Sequence, residues 1–199
     1  MKNPRRFLVV LAHPLPDSFI GTIATITVET LRRTGHDVRV LDLYADDFDA
    51  RLTKAEWSDR TNAATWPQLT AHVEALRWTD GLIFVYPTWF GGQPAILKGW
   101  FDRVWGEGIA YSVPADGGRV RGLLGHIRTI DVVTTHGSTK IMNSVQGEPG
   151  KRVILRGMRS MCGIRCRTNW LAFYGNDVAE DAQRKAFLTR VATTMGKKR

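Results

Sequence analysis

Residues 7–12 read Phe-Leu-Val-Val-Leu-Ala, six apolar residues with no polar side chain between them. A strand with one face in water alternates apolar and polar residues; a strand covered by helices on both faces does not need to. Arg5 and Arg6 precede the run and His13-Pro14-Leu15-Pro16-Asp17 follows it, so it is too short for a buried helix and reads as a central parallel strand. Residues 81–86, Gly-Leu-Ile-Phe-Val-Tyr, repeat the pattern and are stopped by Pro87. Two such strands demand helices on both sides of one sheet, which confines the chain to the α/β class.

The intervening segments supply those helices. Ile20, Ile23, Ala24, Thr27, Val28 and Leu31 recur at helical spacing, with Asp17 or Ser18 placed to cap the start and Gly35 to end it. Residues 37–43 read as the next strand, giving a strand–helix–strand unit with a right-handed crossover. Residues 44–60 are acidic and irregular, and Asp46, Asp47 and Asp49 read as solvated carboxylates in an excursion loop, with no metal site. A helix is expected over 68–78. After the loop 87–94, Pro94 suits the first position of a helix that carries Leu97, Trp100, Phe101, Val104 and Trp105 on one stripe. Strands at 128–134 and 165–174, a weaker helix over 150–161 and a closing helix over 178–195 complete the pattern. With 199 residues and no repeat, linker or low-complexity tract, the chain reads as one domain, 1–199.

Composition excludes several classes. Hydrophobic residues make up 43% and charged residues 24%, which rules out a mainly disordered or collagen-like chain. Cys162 and Cys166 stand alone in a Cys-x3-Cys spacing and read as reduced thiols in or near the core. Lys2, Arg5 and Arg6 before an apolar run resemble a secretory leader, but the run is short and ends at His13-Pro14, so a cytoplasmic protein is expected. Lys and Arg number 28 against 19 Asp and Glu, a formal net charge of +9. The surplus lies late, in Lys151, Arg152, Arg156, Arg159, Arg165, Arg167 and Lys197-Lys198-Arg199, and reads as a solvated basic face. Aromatic residues are not interleaved with it as a nucleic-acid surface requires, so no nucleic-acid partner is expected.

Open α/β sheets bind ligands beyond the carboxyl ends of their strands. Three loops leave such ends. The first offers His13 and Ser18 just before a helix start, where free N–H groups and the helix dipole attract phosphate. No Gly-x-Gly-x-x-Gly follows the first strand, so the dinucleotide fingerprint is absent. The second loop sets Trp89 and Phe90 beside Gly91-Gly92; the third, Thr134-Thr135-His136-Gly137, supplies hydroxyls and backbone N–H groups. An apolar face, edge donors and a phosphate cradle suit a flat polar heteroaromatic such as a flavin, and Trp89 and Phe90 suit core cover equally well.

Taken together these segments resemble the flavodoxin-like NAD(P)H:quinone oxidoreductases, a group that also includes ancillary subunits of potassium-efflux systems. The resemblance is carried by Ala12-His13-Pro14 with Ser18-Phe19, by residues 44–49, by residues 108–111 and 134–137, and above all by the long run 86–104, Tyr-Pro-Thr-Trp-Phe-Gly-Gly-Gln-Pro-Ala-Ile-Leu-Lys-Gly-Trp-Phe-Asp-Arg-Val. It implies a doubly wound, five-stranded parallel sheet of order 2-1-3-4-5, a homodimer, and FAD or FMN at the dimer interface with NAD(P)H as co-substrate and a quinone as acceptor. By position, His13, Ser18 and Phe19 hold the flavin phosphate end, and Pro87, Thr88, Trp89 and Phe90 lie along the ring. Thr134, Thr135 and Gly137 bond its polar edge, Tyr111 lines the acceptor pocket, and the helix after Pro94 packs at the dimer interface. The implied chemistry is ping-pong hydride transfer. The chain departs from the family where members carry a Tyr and a His beside the flavin edge: here the stretch reads Met142-Asn143-Ser144 and Glu148-Pro149. His136 stands in place of a glycine and is offered as a catalytic candidate, although its loop position favours a solvent-facing side chain. A second reading, a flavin-binding regulatory subunit of a transporter, uses the basic surplus as a contact with anionic lipid.

Overall fold

In a computed structural model the described residues are 5–198; Lys2, ahead of the first strand, and Arg199 of the basic tail lie outside them. Strands β1 (Arg6–Leu11), β2 (Asp37–Asp42), β3 (Gly81–Pro87), β6 (Thr129–His136) and β7 (Arg167–Tyr174) form one sheet in the order β2-β1-β3-β6-β7. Every neighbouring pair is parallel. Counting only these five strands, the order is the expected 2-1-3-4-5. A second, two-stranded ribbon pairs β4 (Tyr111–Ser112) with β5 (Arg121–Gly122), and was not anticipated.

The apolar runs do what their lack of alternation requires. Along β1, Phe7 and Val9 face one cluster and Leu8 and Val10 the other, and all four are fully buried. Helices α1 (Phe19–Arg33) and α7 (Asp181–Gly196) cover the Phe7 face, with Ile20, Ile23, Leu31, Val191 and Met195 beneath them. Helices α3 (Thr70–Trp78) and α4 (Ala95–Val104) cover the Leu8 face through Val73, Leu76, Leu97 and Trp100, with Leu69 from the turn ahead of α3. The α4 stripe is therefore spent on the chain's own core: Leu97, Trp100 and Val104 are fully buried within one copy.

Four expectations need correction. The segment 44–60 is not all loop, because α2 (Lys54–Ser58) sits in it behind a capping box: Thr53 Oγ1 accepts from Glu56 N at 3.2 Å and a Glu56 carboxylate oxygen accepts from Thr53 N at 2.8 Å. Thr53-Lys-Ala-Glu56 is a legible helix signal. Residues 150–161 do not form one helix; α6 (Pro149–Arg152) passes into a π turn at Val153–Gly157 and a 3-10 turn at Met158–Met161. Helix α5 (Lys140–Val145) lies between β6 and α6 and was missed. Lastly, β6 runs on through His136 because β7 pairs with it to the end, Thr135 opposite Phe173 and His136 opposite Tyr174. His136 is buried, not solvent-facing.

Among the described residues no group of three or more His, Cys, Asp or Glu is placed to hold a metal, and Asp49 is paired with Arg51 at 2.9 Å. Cys166 is buried, Cys162 is half-buried, and both are free thiols. Among the described residues no helix is long and apolar enough to cross a membrane.

Candidate functional site

The parallel order sends three loops to the same end of the sheet. A groove of about 560 Å³ opens there, lined by His13, Ser18 and Phe19 after β1, by Pro87, Thr88, Trp89 and Phe90 after β3, and by Thr135 and Gly137 at the end of β6. Thr134 lies just beneath, fully buried, with its hydroxyl 3.0 Å from that of Thr88. Every residue proposed from the sequence for a cofactor is thus in the groove or directly under it. Tyr111 is not: it sits half-buried in the β4–β5 ribbon, its carbonyl accepting from Gly108 N at 2.8 Å, and one copy of the chain does not bring it to the groove.

At one end of the groove is the start of α1. Ser18 is its N-cap, its Oγ accepting from Gly21 N at 3.1 Å. The next backbone N–H groups, of Phe19 and Ile20, have no protein acceptor among the described residues. These donors and the positive end of the helix dipole make a place for an anion. The His13 ring is tied through Nδ1 to the backbone of Leu15, 3.0 Å from its O and 3.1 Å from its N, which leaves Nε2 without a partner among the described residues. Phe19 contributes its backbone here, since its ring is committed to Phe173 and Phe187 at 5.5 and 6.3 Å.

The far end is built by a tight turn. Trp89 and Gly92 exchange both backbone hydrogen bonds, at 3.1 and 3.0 Å, around Phe90 and Gly91, which have φ of 49° and 72°. Positive φ at both central residues is the geometry of a type I′ turn, costly for phenylalanine. Gly150 N donates to Gly91 O at 3.0 Å and Gln93 Nε2 to Gly150 O at 2.8 Å, so the turn is pinned to α6. Trp89 is 45% exposed and the Phe90 ring stands free in solvent.

Behind Thr88 runs a hydrogen-bond chain whose direction can be read. Asn143 Nδ2 donates to Ser138 Oγ and Thr139 O, both at 2.8 Å, so its amide oxygen is the atom facing His136 Nδ1 at 2.7 Å. Nδ1 therefore carries the proton and Nε2 accepts from the Thr88 hydroxyl, 3.4 Å away. Tyr174 stacks on the imidazole at 4.6 Å and 21°, and its hydroxyl donates to Glu148, which pairs with Lys151 at 2.9 Å. Burial lowers the His136 pKa below its ordinary 6.5, against the pull of Asn143 and Glu148, which raise it.

That shift has a stability consequence. A buried histidine with a lowered pKa is neutral where the unfolded chain already binds a proton. Its contribution is complete above about 6.5 and is lost as the pH falls from there toward the lower folded value. We expect the unfolding free energy from urea titration to drop between pH 7 and pH 5, by at most about 1.4 kcal/mol per pH unit for this one proton. His136→Gln should flatten the slope; an unchanged slope in that variant would show that His136 is not buried neutral. His72, also lowered by burial, supplies part of the same slope and keeps it in the variant.

Three groove residues escaped sequence reading: Ile20, read only as core, and two that follow the last strand. Asn176 and Asp177 enter through the turn at Gly175 (φ 72°) after β7. The Asn176 side-chain oxygen is buried without a hydrogen bond among the described residues, an acceptor waiting for a donor. Gly137 is a close approach: a Cβ there would lie 2.4 Å from an Asp177 carboxylate oxygen. A helix start with free donors, an unmet acceptor, a backbone cleared of side chain and an aromatic flank together fit a phosphate-bearing planar cofactor.

The flavodoxin-like fold family matches residues 5–194. The mouse ribosyldihydronicotinamide dehydrogenase [quinone] is 31% identical over an alignment covering 92% of this chain and 87% of the mouse protein. The rat NAD(P)H dehydrogenase [quinone] 1 is 31% identical, covering 90% of this chain and 72% of the rat protein. Among solved structures, the NAD(P)H:quinone oxidoreductase from Methanothermobacter marburgensis superposes with a TM-score of 0.84 at 27% identity, covering 98% of both chains.

Proposed function

This chain belongs to the flavodoxin-like fold family that includes the quinone dehydrogenases, and from that premise we propose that it is a flavin-dependent NAD(P)H:quinone oxidoreductase. The observation that carries the reading is the convergence of a donor-rich helix start, an aromatic turn and a threonine edge on one groove at the carboxyl ends of β1, β3 and β6. A flavin held there would supply two-electron hydride-transfer chemistry between NAD(P)H and a quinone. The chain's own residues bind and orient. The N–H groups of Phe19 and Ile20, with Ser18 Oγ and His13 Nε2, hold the phosphate end. Trp89 flanks the ring and excludes water from one side. Thr88, Thr134, Thr135 and the Gly137 backbone meet its polar edge, and the His136–Asn143 pair fixes how the Thr88 hydroxyl is turned. Holding both partners over the same face in turn is the main catalytic contribution, an effect of orientation.

Tyr111 lies outside the groove of its own chain, and Phe90 in the groove turn and Ile141 and Val145 on α5 are strongly exposed. Both facts support a working homodimer in which a second copy covers these residues and brings an acceptor-pocket tyrosine to the site.

The test begins with the purified chain. It should be yellow or take up added FAD or FMN, mass analysis of the released chromophore should name which, and NAD(P)H should be consumed with benzoquinone. A colourless protein that takes up neither flavin ends the proposal. Trp89→Ala is expected to weaken flavin binding about tenfold, as loss of an aromatic contact and its buried area implies, measured by flavin fluorescence titration. Tyr111→Phe should change the acceptor kinetics and leave flavin content as it was; release of flavin would place Tyr111 elsewhere.

A further inference from the structure

A concentration of positive charge lies at the other end of the sheet. A cavity of about 810 Å³ opens at the amino ends of β6 and β7, lined by Arg5, Arg128, Arg165, Arg167, Lys197 and Lys198 together with one acid, Asp131. That is five of the chain's nine net positive charges in one concavity, drawn from four separate segments of sequence. Asp131, 1% exposed, is already committed to Lys198. None of the remaining five cations makes an ion pair among the described residues, whose other pairs all lie elsewhere. A merely solvated basic face would spread such side chains over convex surface, where mutual repulsion is weakest; gathering them around a hollow raises the local potential and focuses it.

We propose that this cavity binds a small, non-aromatic molecule carrying two or more phosphate groups. Its volume is that of an ordinary small-molecule site. Arginine, four of the six cations, presents forked donors that match phosphate oxygens two at a time. Thr168 and Asn169, paired in register with Ile130 and Asp131, line the floor and add hydroxyl and amide groups for the rest of the ligand. Among the described residues no aromatic side chain lines the cavity, so they offer a nucleobase nothing to stack on, which separates it from a nucleotide or single-stranded nucleic-acid site. It is also a separate site from the cofactor groove: Thr129 and Thr135 mark the two ends of β6, about 20 Å apart at 3.3 Å per residue.

The test is calorimetric titration of the intact chain with inorganic tripolyphosphate at near-physiological salt, alongside ATP and anionic phosphatidylserine vesicles. Saturable 1:1 binding of tripolyphosphate is expected, with ATP no tighter and with no sedimentation on vesicles that tripolyphosphate fails to release. The double variant Arg128→Gln/Arg167→Gln, both at exposed positions, should lose at least tenfold in affinity while its ligand-free thermal unfolding is unchanged. The proposal is overturned by absence of binding at millimolar tripolyphosphate, by equal binding to the double variant, or by vesicle capture that the free polyanion does not compete. If the double variant loses thermal stability, Arg165→Gln, also exposed, replaces it in the same comparison. None of these readings depends on a flavin.

Discussion

Glu56→Gln should cost about 3–5 kcal/mol of folding stability, the usual consequence of leaving one member of a buried ion pair alone. Glu56 and Arg103 are 5% and 4% exposed and face each other across the excursion after β2. The same guanidinium donates to Asp49 O and lies 5.2 Å from the Phe48 ring, so it ties residues 48–56 to α4. With the carboxylate gone, Arg103 keeps its charge in a place water does not reach. Urea unfolding of the single variant measures the loss, and a cost under about 1 kcal/mol would mean that the pair is solvated. The double variant Glu56→Gln/Arg103→Met should recover most of it, since removing both charges removes the desolvation penalty too. The effect has a pH signature. Burial pushes the Glu56 pKa up, but hydrogen bonds from Arg103, Thr53 N and Gln68 outweigh it and hold the group below its ordinary 4.5. A depressed carboxyl stabilises the fold above 4.5 and ceases to do so as the pH falls through the folded value. The gap between parent and Glu56→Gln should therefore narrow in acid.

Gly21→Ala should abolish most flavin affinity while sparing the helix that contains it. A Cβ at Gly21 would lie 1.9 Å from the Pro16 carbonyl oxygen, which is backbone and cannot swing aside. The loop from His13 to Ser18 must then move as a unit, taking the N-cap and the two unpaired N–H groups out of line. Alanine is a better helix former than glycine, so α1 itself gains locally. Losing two charge-assisted hydrogen bonds at about 1.5 kcal/mol or more each corresponds to a flavin Kd raised on the order of 100-fold. Fluorescence titration with FMN and FAD measures this, and far-UV circular dichroism confirms the retained helix. Unchanged affinity would remove the start of α1 from the site.

How much of this was legible in the sequence follows from what each segment buries. Strands β1 and β3 were plain because both their faces are covered, and the order of the sheet came with the resemblance. The three groove loops were legible because loops leaving parallel strands must share one end of the sheet. Helix α5 was not, because Ile141, Met142 and Val145 point outward and leave no inward stripe to detect. Asn176 and Asp177 were hidden for a different reason: short polar residues after a strand look like any turn, and only the partnerless Asn176 oxygen marks them. His136 was misplaced by two residues of strand length. A threonine-rich end reads as loop, and nothing local announces that β7 continues beside it.

The Thr134–Thr88–His136–Asn143 chain has a polarity, and one proton sets it. With the imidazole neutral, Nε2 is a lone pair, the Thr88 hydrogen turns inward to meet it, and what Thr88 presents outward is oxygen. Add a proton and Nε2 becomes the donor, the Thr88 oxygen turns in to accept, and its hydrogen is freed for another acceptor, the Thr134 hydroxyl at 3.0 Å among them. The Asn143 amide cannot flip to cancel the change, because Ser138 and Thr139 hold its other end. A single buried ring thus sets which way the Thr88 hydroxyl at the groove is turned.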